Sequence, residues 1–338
     1  MEQGPGALEG MVMIRSKATE KPAISIAIPV YNQVATISRS IESALRAARD
    51  FPGVEIVVSE NYSNDGTSEV VANYSDKVKL VRPDHHLGMA SNWNYAVNCC
   101  SGEWVGMLSG DDQILPSYIP ALRDAIAVDP GAVFAMGGWN NVDSLTRLTT
   151  RRRVLSLPAV ANPPNATRGL IYGPKASFAS YCFLKAAFDD VGGFDHRYNL
   201  VQDWILQFRL SLIGSFVKTN KVIAEYLTGQ DRAELEYSRV PLYVQDFATF
   251  CSSTIWEAAD FGVPRRSVLD ACEQHIVMAE SFLTRFPGWK AKGDEILKPA
   301  YERIGRERVV EYSKARTSSF AAKAKQRVRK LAEMIIPV

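Results

Sequence analysis

The 338-residue sequence lacks the features of a membrane-spanning or secreted protein. It contains no run of 18 apolar residues, and its first residues lack the charged-then-apolar order of a secretory signal. Its five cysteines are odd in number and show no CxxC spacing, which argues against a disulfide framework and against a zinc site. We therefore expect a cytoplasmic protein whose thiols are reduced.

An excess of charge of either sign is also missing. The chain has 39 Lys and Arg residues against 37 Asp and Glu residues, so its formal net charge is only +2. Such a balance predicts no general attraction to nucleic acid, and we expect no nucleic-acid partner. A length of 338 residues exceeds one ordinary domain, which predicts either one large domain with an appendage or two domains.

Apolar runs rich in β-branched residues alternate with helical patterns from residue 23 onward. The runs are ISIAIPV, VEIVVS, KVKLV and EWVGMLS, and a segment with apolar residues at helical spacing follows each one. Strands that alternate with helices predict an α/β fold with a mostly parallel sheet and right-handed crossovers.

The residues that end or follow three of these runs are the informative ones. They are Pro29, Tyr31 and Asn32 after the first run, Glu60 and Asn61 after the second, and Gly110, Asp111 and Asp112 after the fourth. Ligands of an open parallel sheet bind at the carboxyl ends of its strands, so we expect these residues to share one functional edge. The adjacent carboxylates repel each other unless a cation or hydrogen-bond donors compensate them. A solvated turn is the alternative interpretation of the pair.

The familiar phosphate-binding loops are absent from the first strand-to-helix turn. Neither GxGxxG nor GxxxxGK[ST] occurs there, and Pro29 removes a backbone donor. If the chain binds a phosphate group, a divalent cation held by Asp111 or Asp112 is the expected counter-charge. The missing phosphate loop also disfavours a nucleotidyltransferase on a similar sheet.

Five segments in this order resemble glycosyltransferase family 2. They read IAIPVYN, VVSENYSNDGT, LGMASNWNYAVNCCSGEWV, LSGDD and VGGFDHRYNLVQDWILQFRLSLIG. The resemblance implies a GT-A fold, which is a Rossmann-like sheet flanked by helices, over residues 23–232. It divides that domain into a nucleotide-sugar half (23–115) and an acceptor half (116–232). It also implies inverting transfer of a sugar from a nucleoside diphosphate to a hydroxyl, in surface polysaccharide or glycoconjugate assembly.

The resemblance also assigns roles to the donor-side residues. Pro29, Tyr31 and Glu60 fall where the family contacts the nucleoside, with Asn32 and Asn61 beside them. Asp111 falls near the ribose, and Asp112 falls at the ligand of Mg²⁺ or Mn²⁺. A carboxylate at Glu60 can accept a hydrogen bond from a ring N–H of uracil or thymine, so a UDP-sugar or dTDP-sugar is favoured.

Asp203 matches the general base of the family. A sugar hydroxyl is a poor nucleophile, so a carboxylate within hydrogen-bond reach must take its proton during attack. One base opposite the leaving group gives a single displacement with inversion. Two alternatives stay open here: Asp203 could cap a helix, and Trp204 could stack on a sugar or fill the core.

One segment departs from the family pattern. The sequence TGQDRAE stands where many members carry a histidine associated with the metal or the diphosphate. Gln230, Asp231 and Arg232 are partial substitutes, with Gln230 and Arg232 as candidate contacts to the acceptor or the diphosphate. The third metal ligand is therefore open, and a non-catalytic nucleotide-sugar-binding or scaffold protein is the alternative function.

The two ends of the chain have a different character. Residues 1–22 mix Gly, Pro, Lys and Glu without periodicity and are predicted to form a flexible leader. Residues 233–338 are predicted to be helical, and the stretch from Lys314 to Lys330 has seven basic residues and no acidic one. This basic tail is either a solvated helix or a peripheral contact with an anionic membrane. Membrane contact would suit a lipid-linked acceptor, and a free saccharide is the other acceptor class.

Overall fold

A computed structural model describes residues 24–143, 146–153, 157–228 and 232–305 of the chain. The predicted leader and the basic tail lie outside these ranges.

The first part of the fold repeats a strand and a helix, as the alternating pattern predicts. Its elements are β1 (Ile24–Val30), α1 (Ile37–Ala48), β2 (Glu55–Glu60), α2 (Thr67–Ala72), β3 (Lys79–Val81), α3 (Met89–Asn98) and β4 (Trp104–Met107). β1 pairs in parallel with β2 and β4, and β2 pairs in parallel with β3. All seven residues of β1 are buried, since helices cover both faces of a parallel sheet.

The second part extends the same sheet with strands of both directions. Its elements are β5 (Gln113–Ile114), α4 (Tyr118–Ile126), β6 (Ala132–Asp143), β7 (Thr149–Arg153), β8 (Val160–Ala161), α5 (Asn165–Leu170), β9 (Tyr181–Leu184), α6 (Lys185–Asp190), α7 (Gln202–Ile213) and β10 (Ser215–Thr228). Among the described strands the order is β3-β2-β1-β4-β9-β6-β10-β5, with β7 beside β6 and β8 beside β10. β9 runs antiparallel to β4 and β6, and so joins two parallel blocks.

The chain then becomes helical, as predicted. Helices α8 (Arg232–Ser252), α9 (Glu257–Asp260), α10 (Arg265–Arg285) and α11 (Lys290–Ile304) follow the sheet. Buried apolar residues of α8, α10 and α11 belong to the same continuous core as the sheet, so this helical region packs onto the α/β unit. Within the four described ranges, no helix combines the length and apolar character needed to span a bilayer.

Pro29 lies inside β1 rather than in the turn that the sequence suggested. It pairs in register with Ser59 of β2, and its side chain is buried. The pairing of β1 with β4 ends at Ala27, so no strand on that side needs a hydrogen bond from position 29. A proline is therefore tolerated within an interior strand.

Candidate active site

A cavity of about 300 Å³ opens at the carboxyl edge of the sheet. It collects the two aspartates that follow β4, residues of the loop and helix around Asp203, and aromatic side chains from several elements. Its lining residues are Met89, Trp93, Ser109, Asp111, Asp112, Trp139, Asn141, Pro174, Ala176, Ser177, Phe178, Leu200, Val201, Asp203, Trp204, Tyr226, Arg239 and Tyr243. The structure thus brings three predicted site carboxylates into one space: Asp111 from the nucleotide side, the metal candidate Asp112 and the base candidate Asp203.

Asp112 is a buried carboxylate whose negative charge is compensated by few hydrogen-bond donors. Only 2% of the residue is exposed, and its Oδ1 accepts one hydrogen bond, from the backbone N–H of Leu227 at 2.9 Å. Burial and the neighbouring charge of Asp111 raise the pKa of Asp112 well above its ordinary value. A bound cation would reverse this effect, because it stabilises the charged form of both carboxylates.

The backbone around the pair is held by neighbouring elements. The Ser40 hydroxyl of α1 donates to the backbone carbonyl of Asp112 at 2.7 Å, and the Ser109 hydroxyl donates to the Asp111 carboxylate. Both aspartates therefore line the cavity, and the backbone at Asp112 is bonded to α1.

The donor set around Asp112 fits a divalent cation that is shared with a substrate. Magnesium is commonly held by one or two carboxylates, with waters and substrate phosphates as its other ligands. Asp111 and Asp112 supply such carboxylates, and one carboxylate oxygen of Asp112 accepts no hydrogen bond from the residues that the structure describes. Among the described residues no cluster of three or more His, Cys, Asp or Glu side chains could hold a metal alone.

Asp203 is the second residue of α7 and lies in its first turn. Burial raises the pKa of its carboxyl to about 6, although backbone N–H groups of the helix start pull it down. The helix has Val201 at its N-cap position, so Asp203 is not the capping residue. A carboxylate with a pKa near 6 on a cavity wall can accept a proton close to neutral pH.

The predicted nucleoside residues lie at the ends of β1 and β2, and two of them are fully engaged with protein. Glu60 is 2% exposed and accepts hydrogen bonds from the backbone N–H groups of Tyr62 (3.2 Å) and Ser63 (2.7 Å) and from Arg82. Burial alone would raise the pKa of Glu60, but the bonds from Ser63 and Arg82 outweigh it and lower the pKa.

Asn61 closes the loop that follows β3. Its side-chain amide donates to the Leu87 carbonyl at 2.9 Å, and its amide oxygen accepts from the Leu87 N–H at 2.8 Å. Asn32 has a left-handed backbone (φ 51°), and its side chain accepts from the Asn64 N–H at 3.0 Å. Both residues shape this edge through their own hydrogen bonds.

Exposed aromatic rings lie beside these residues. Tyr31 is 44% exposed, and its ring centroid lies 4.5 Å from that of His86. The Arg82 guanidinium lies 5.0 Å from the centre of the Tyr62 ring. Sequence reasoning did not select Arg82 or Tyr62, although Arg82 directly follows the third apolar run, KVKLV, and could have been found by the same rule.

Trp204 belongs mainly to the core. It is 1% exposed, its indole N–H donates to the Leu170 carbonyl at 2.6 Å, and its ring lies 4.6 Å from that of Phe250. Only an edge of the residue reaches the cavity wall, so its packing favours the core alternative over sugar stacking.

The predicted substitutes in TGQDRAE are not placed by the structure. Gln230 and Asp231 lie outside the described residues, and Arg232 begins α8 with a side chain that is likewise outside them. Seven residues further along α8, Arg239 lines the cavity together with Tyr243. Sequence reasoning missed both residues, because a helical pattern alone does not reveal which face meets a distant cavity.

Residues 25–185 match the model of glycosyl transferase family 2. The matched range contains β1 from Ser25 onward, β2 to β4, Glu60 and both aspartates of the cavity. This segment is therefore similar to family 2 glycosyltransferases. The family match confirms the resemblance, but it ends before Asp203 and before the helical region.

A relative from Rickettsia felis, named an uncharacterized glycosyltransferase, is 30% identical to this chain over 200 residues. The aligned segment covers 56% of this chain and 31% of that protein, so the chain corresponds to about a third of that relative's length.

Two solved structures share the fold of this chain. Residues 1–349 of S. aureus TarS, in complex with UDP-GlcNAc, superpose with a TM-score of 0.63 at 16% identity, covering 92% of this chain and 90% of that one. A Pyrobaculum calidifontis mannosyltransferase in complex with GDP-Man and Mn²⁺ gives a TM-score of 0.53 at 16% identity, covering 93% and 88%. These likenesses confirm the predicted GT-A fold with its helical C-terminal region.

Proposed function

We propose that this protein is an inverting, metal-dependent glycosyltransferase that moves one sugar from a nucleoside diphosphate to an acceptor hydroxyl. The observation that carries the proposal is the cavity itself. The buried Asp112 and the half-buried Asp111 line the same space as Asp203, although these carboxylates lie far apart in the chain. Transfer of a sugar needs these two functions together, which are charge stabilisation of a leaving diphosphate and proton removal from a hydroxyl.

Asp203 is the proposed base. Its raised pKa of about 6 leaves it mostly ionised at neutral pH and well matched to a proton from a hydroxyl in the transition state. A single base on the side of the acceptor leads to one displacement at the anomeric carbon, and hence to inversion.

Asp112, with Asp111 beside it, is the proposed holder of Mg²⁺ or Mn²⁺. A bound divalent cation would supply positive charge to the diphosphate as it departs. The raised pKa of Asp112 supports this assignment, because a carboxylate pair without compensating charge is costly unless a cation joins it. The Mn²⁺ in the Pyrobaculum mannosyltransferase complex is consistent with it.

The proposed donor is a UDP-sugar or a dTDP-sugar bound across the ends of β1 and β2. Glu60 accepts bonds from Tyr62, Ser63 and Arg82, and hydrogen bonds from the Ser63 and Ser68 side chains also lower its pKa. It therefore holds the loop beside the proposed base site, and the exposed Tyr31 ring offers a surface for the base. The TarS structure binds UDP-GlcNAc, which supports UDP, whereas the mannosyltransferase binds GDP-Man.

The proposed class of acceptor rests on the sequence alone. We propose a saccharide or a lipid-linked acceptor in surface polysaccharide or glycoconjugate assembly, at a cytoplasmic site. Peripheral membrane contact through the basic tail belongs to this proposal and concerns residues outside the described ranges.

A screen of nucleotide sugars with and without Mn²⁺ tests the proposal. We expect thermal stabilisation of the protein by one donor with Mn²⁺, loss of most of it with a chelator, and release of the nucleoside diphosphate when an acceptor is present. Donor binding without turnover for any acceptor would favour the binding or scaffold protein, and absence of nucleotide binding would contradict both functions.

A further inference from the structure

One buried carboxylate connects helix α8 to the loop that leads into Asp203. Asp246 is 0% exposed, and its oxygens accept hydrogen bonds from the backbone N–H groups of Asn199 at 2.9 Å and Leu200 at 2.7 Å. The side-chain amide of Asn199 donates a third bond to Asp246 at 2.9 Å. A single side chain of the helical region therefore binds two successive amides of the α/β unit.

The bound amides lie directly before the proposed base. Leu200 is followed by Val201, the N-cap residue of α7, and Asp203 is the second residue of that helix. Leu200 and Val201 also line the cavity. A shift of this loop would therefore move both a wall of the cavity and the first turn that carries Asp203.

A second contact holds the same loop to the helical region. The Tyr198 hydroxyl donates to the Thr254 hydroxyl at 2.6 Å, and both residues are buried. The Gln202 side-chain amide donates to the Tyr198 carbonyl at 2.6 Å, which links this contact to the start of α7. The loop is thus held from the helical region at Asp246 and again at Thr254.

The use of a carboxylate at position 246 needs an explanation. Burial raises the pKa of Asp246, which means that the charged form is costly there despite its hydrogen bonds. An apolar side chain would fill an interior position at lower cost. A carboxylate oxygen pair can, however, accept from several N–H groups at once, which an apolar side chain cannot do.

We propose that Asp246 is a positioning residue for Asp203, and that the helical region takes part in sugar transfer by holding the loop of residues 198–201. This inference rests on the proposed function, in which Asp203 is the base. Misplacement of a reacting group by about 1 Å can cost on the order of 10²-fold in rate, so a loosened loop would lower turnover while the donor site stays intact.

The test compares Asp246→Asn with Val268→Ala in the full chain. Val268 is buried in α10 and contributes to the core, so its truncation destabilises the helical region without removing a bond to the loop. We expect Asp246→Asn to reduce kcat by about 10- to 100-fold, while affinity for UDP with Mn²⁺ stays at the parental value. Val268→Ala should keep parental kcat at temperatures well below its midpoint of unfolding.

A milder variant keeps the test valid if Asp246→Asn does not fold. Asn199→Ala removes only the side-chain bond to Asp246 and leaves both backbone bonds, so we expect a reduction of kcat smaller than that of Asp246→Asn. Equal kcat values for the parent, Asn199→Ala and Asp246→Asn would overturn the proposal, as would an equal loss of kcat in Val268→Ala.

Hydrogen exchange separates this inference from the proposed function. The Leu200 amide should exchange faster in Asp246→Asn than in the parent or in Val268→Ala, whether or not Asp203 is the base. Full activity of Asp203→Asn would refute the proposed function. Loss of activity in Asp203→Asn, combined with parental kcat and exchange in Asp246→Asn, would refute the positioning role alone.

Discussion

Two buried carboxylates at strand ends of the same sheet have opposite properties. Glu60 at the proposed nucleoside end and Asp112 at the proposed catalytic end are each 2% exposed. Glu60 accepts bonds from two backbone amides and from Arg82, and its pKa is lowered. Asp112 accepts a bond from one backbone amide and lies next to the charge of Asp111, and its pKa is raised. The two side chains are equally buried, so the number of compensating hydrogen-bond donors decides whether the pKa of the carboxyl is lowered or raised.

The difference suggests a division of roles between the two ends. A carboxylate that protein groups already satisfy contributes to a preformed surface for the nucleoside. A carboxylate left under-compensated, with a like charge next to it, is suited to a cation that arrives with the substrate.

The largest expected effect concerns the third carboxylate, Asp203. Asp203→Asn should reduce turnover by roughly 10²- to 10⁴-fold, because the base acts in the transition state. Donor affinity should stay near the parental value, since the ground state does not use that interaction. Steady-state turnover and calorimetric binding of the donor measure the two quantities. Parental turnover in this variant would remove Asp203 from the mechanism.

Replacing the two strand-end carboxylates in parallel tests the comparison directly. Asp112→Asn should abolish the increase in UDP affinity that Mn²⁺ produces over a chelator. Glu60→Gln should weaken UDP binding similarly in both conditions, because it disturbs the Arg82 contact and not the cation. Titration calorimetry of both variants with Mn²⁺ and with EDTA provides the measurement. If Mn²⁺ still increased UDP affinity in Asp112→Asn, the cation would have to bind at another site.

The pH dependence of turnover extends the comparison to Asp203. A base with a pKa of about 6 loses its acceptor form as the pH falls through that value, so kcat should decrease below about pH 6. The decrease should approach tenfold per pH unit at lower pH for a single protonation. A profile of kcat from pH 5 to pH 8 measures it. A rate that stays flat down to pH 5 would contradict the assignment of this pKa to the base.

The smallest expected effect is on the stability of the metal-free protein. Asp112→Asn should raise the free energy of unfolding at pH 7, because it removes an under-compensated buried charge and keeps an oxygen for the Leu227 amide. Glu60→Gln should lower it by about 1 to 3 kcal/mol, the usual cost of leaving buried donors without their acceptor. Urea denaturation in EDTA measures both changes. Shifts of the same sign in the two variants would contradict the division of roles.

The pH dependence of the stability that Glu60 contributes provides a further check, which the same urea denaturation experiments can measure. Its folded pKa is below the ordinary value of 4.5, so its contribution to stability is present above that value. The contribution is lost as the pH falls through the folded pKa. The stability difference between the parent and Glu60→Gln should therefore narrow in acid.

Much of the donor side could be predicted from the sequence, because its signals are local. The apolar runs of β1, β2 and β4 determine the parallel block, and the polar residues directly after them determine which edge carries the site. Asp111 and Asp112 were found in this way, and the family match covers them. Pro29 was predicted to lie in the turn after β1, but it lies within that strand. The sequence does not show where the pairing of β1 with β4 ends, and this end point is what allows a proline at position 29.

The remainder was decided by the tertiary structure, because it depends on contacts between distant residues. Sequence alone determined the residue types at the strand ends, the alternation of strands with helices, and the identity of the acidic residue at the start of α7. Whether a buried carboxylate is satisfied, as Glu60 is, or left for a cation, as Asp112 is, depends on donors that packing brings near it. The bonds of Asp246 to Asn199 and Leu200 span 47 and 46 positions, and no periodicity within α8 encodes them. Hydrophobic patterns specify which face of an element is buried, whereas hydrogen-bond partners are specified only when the faces meet.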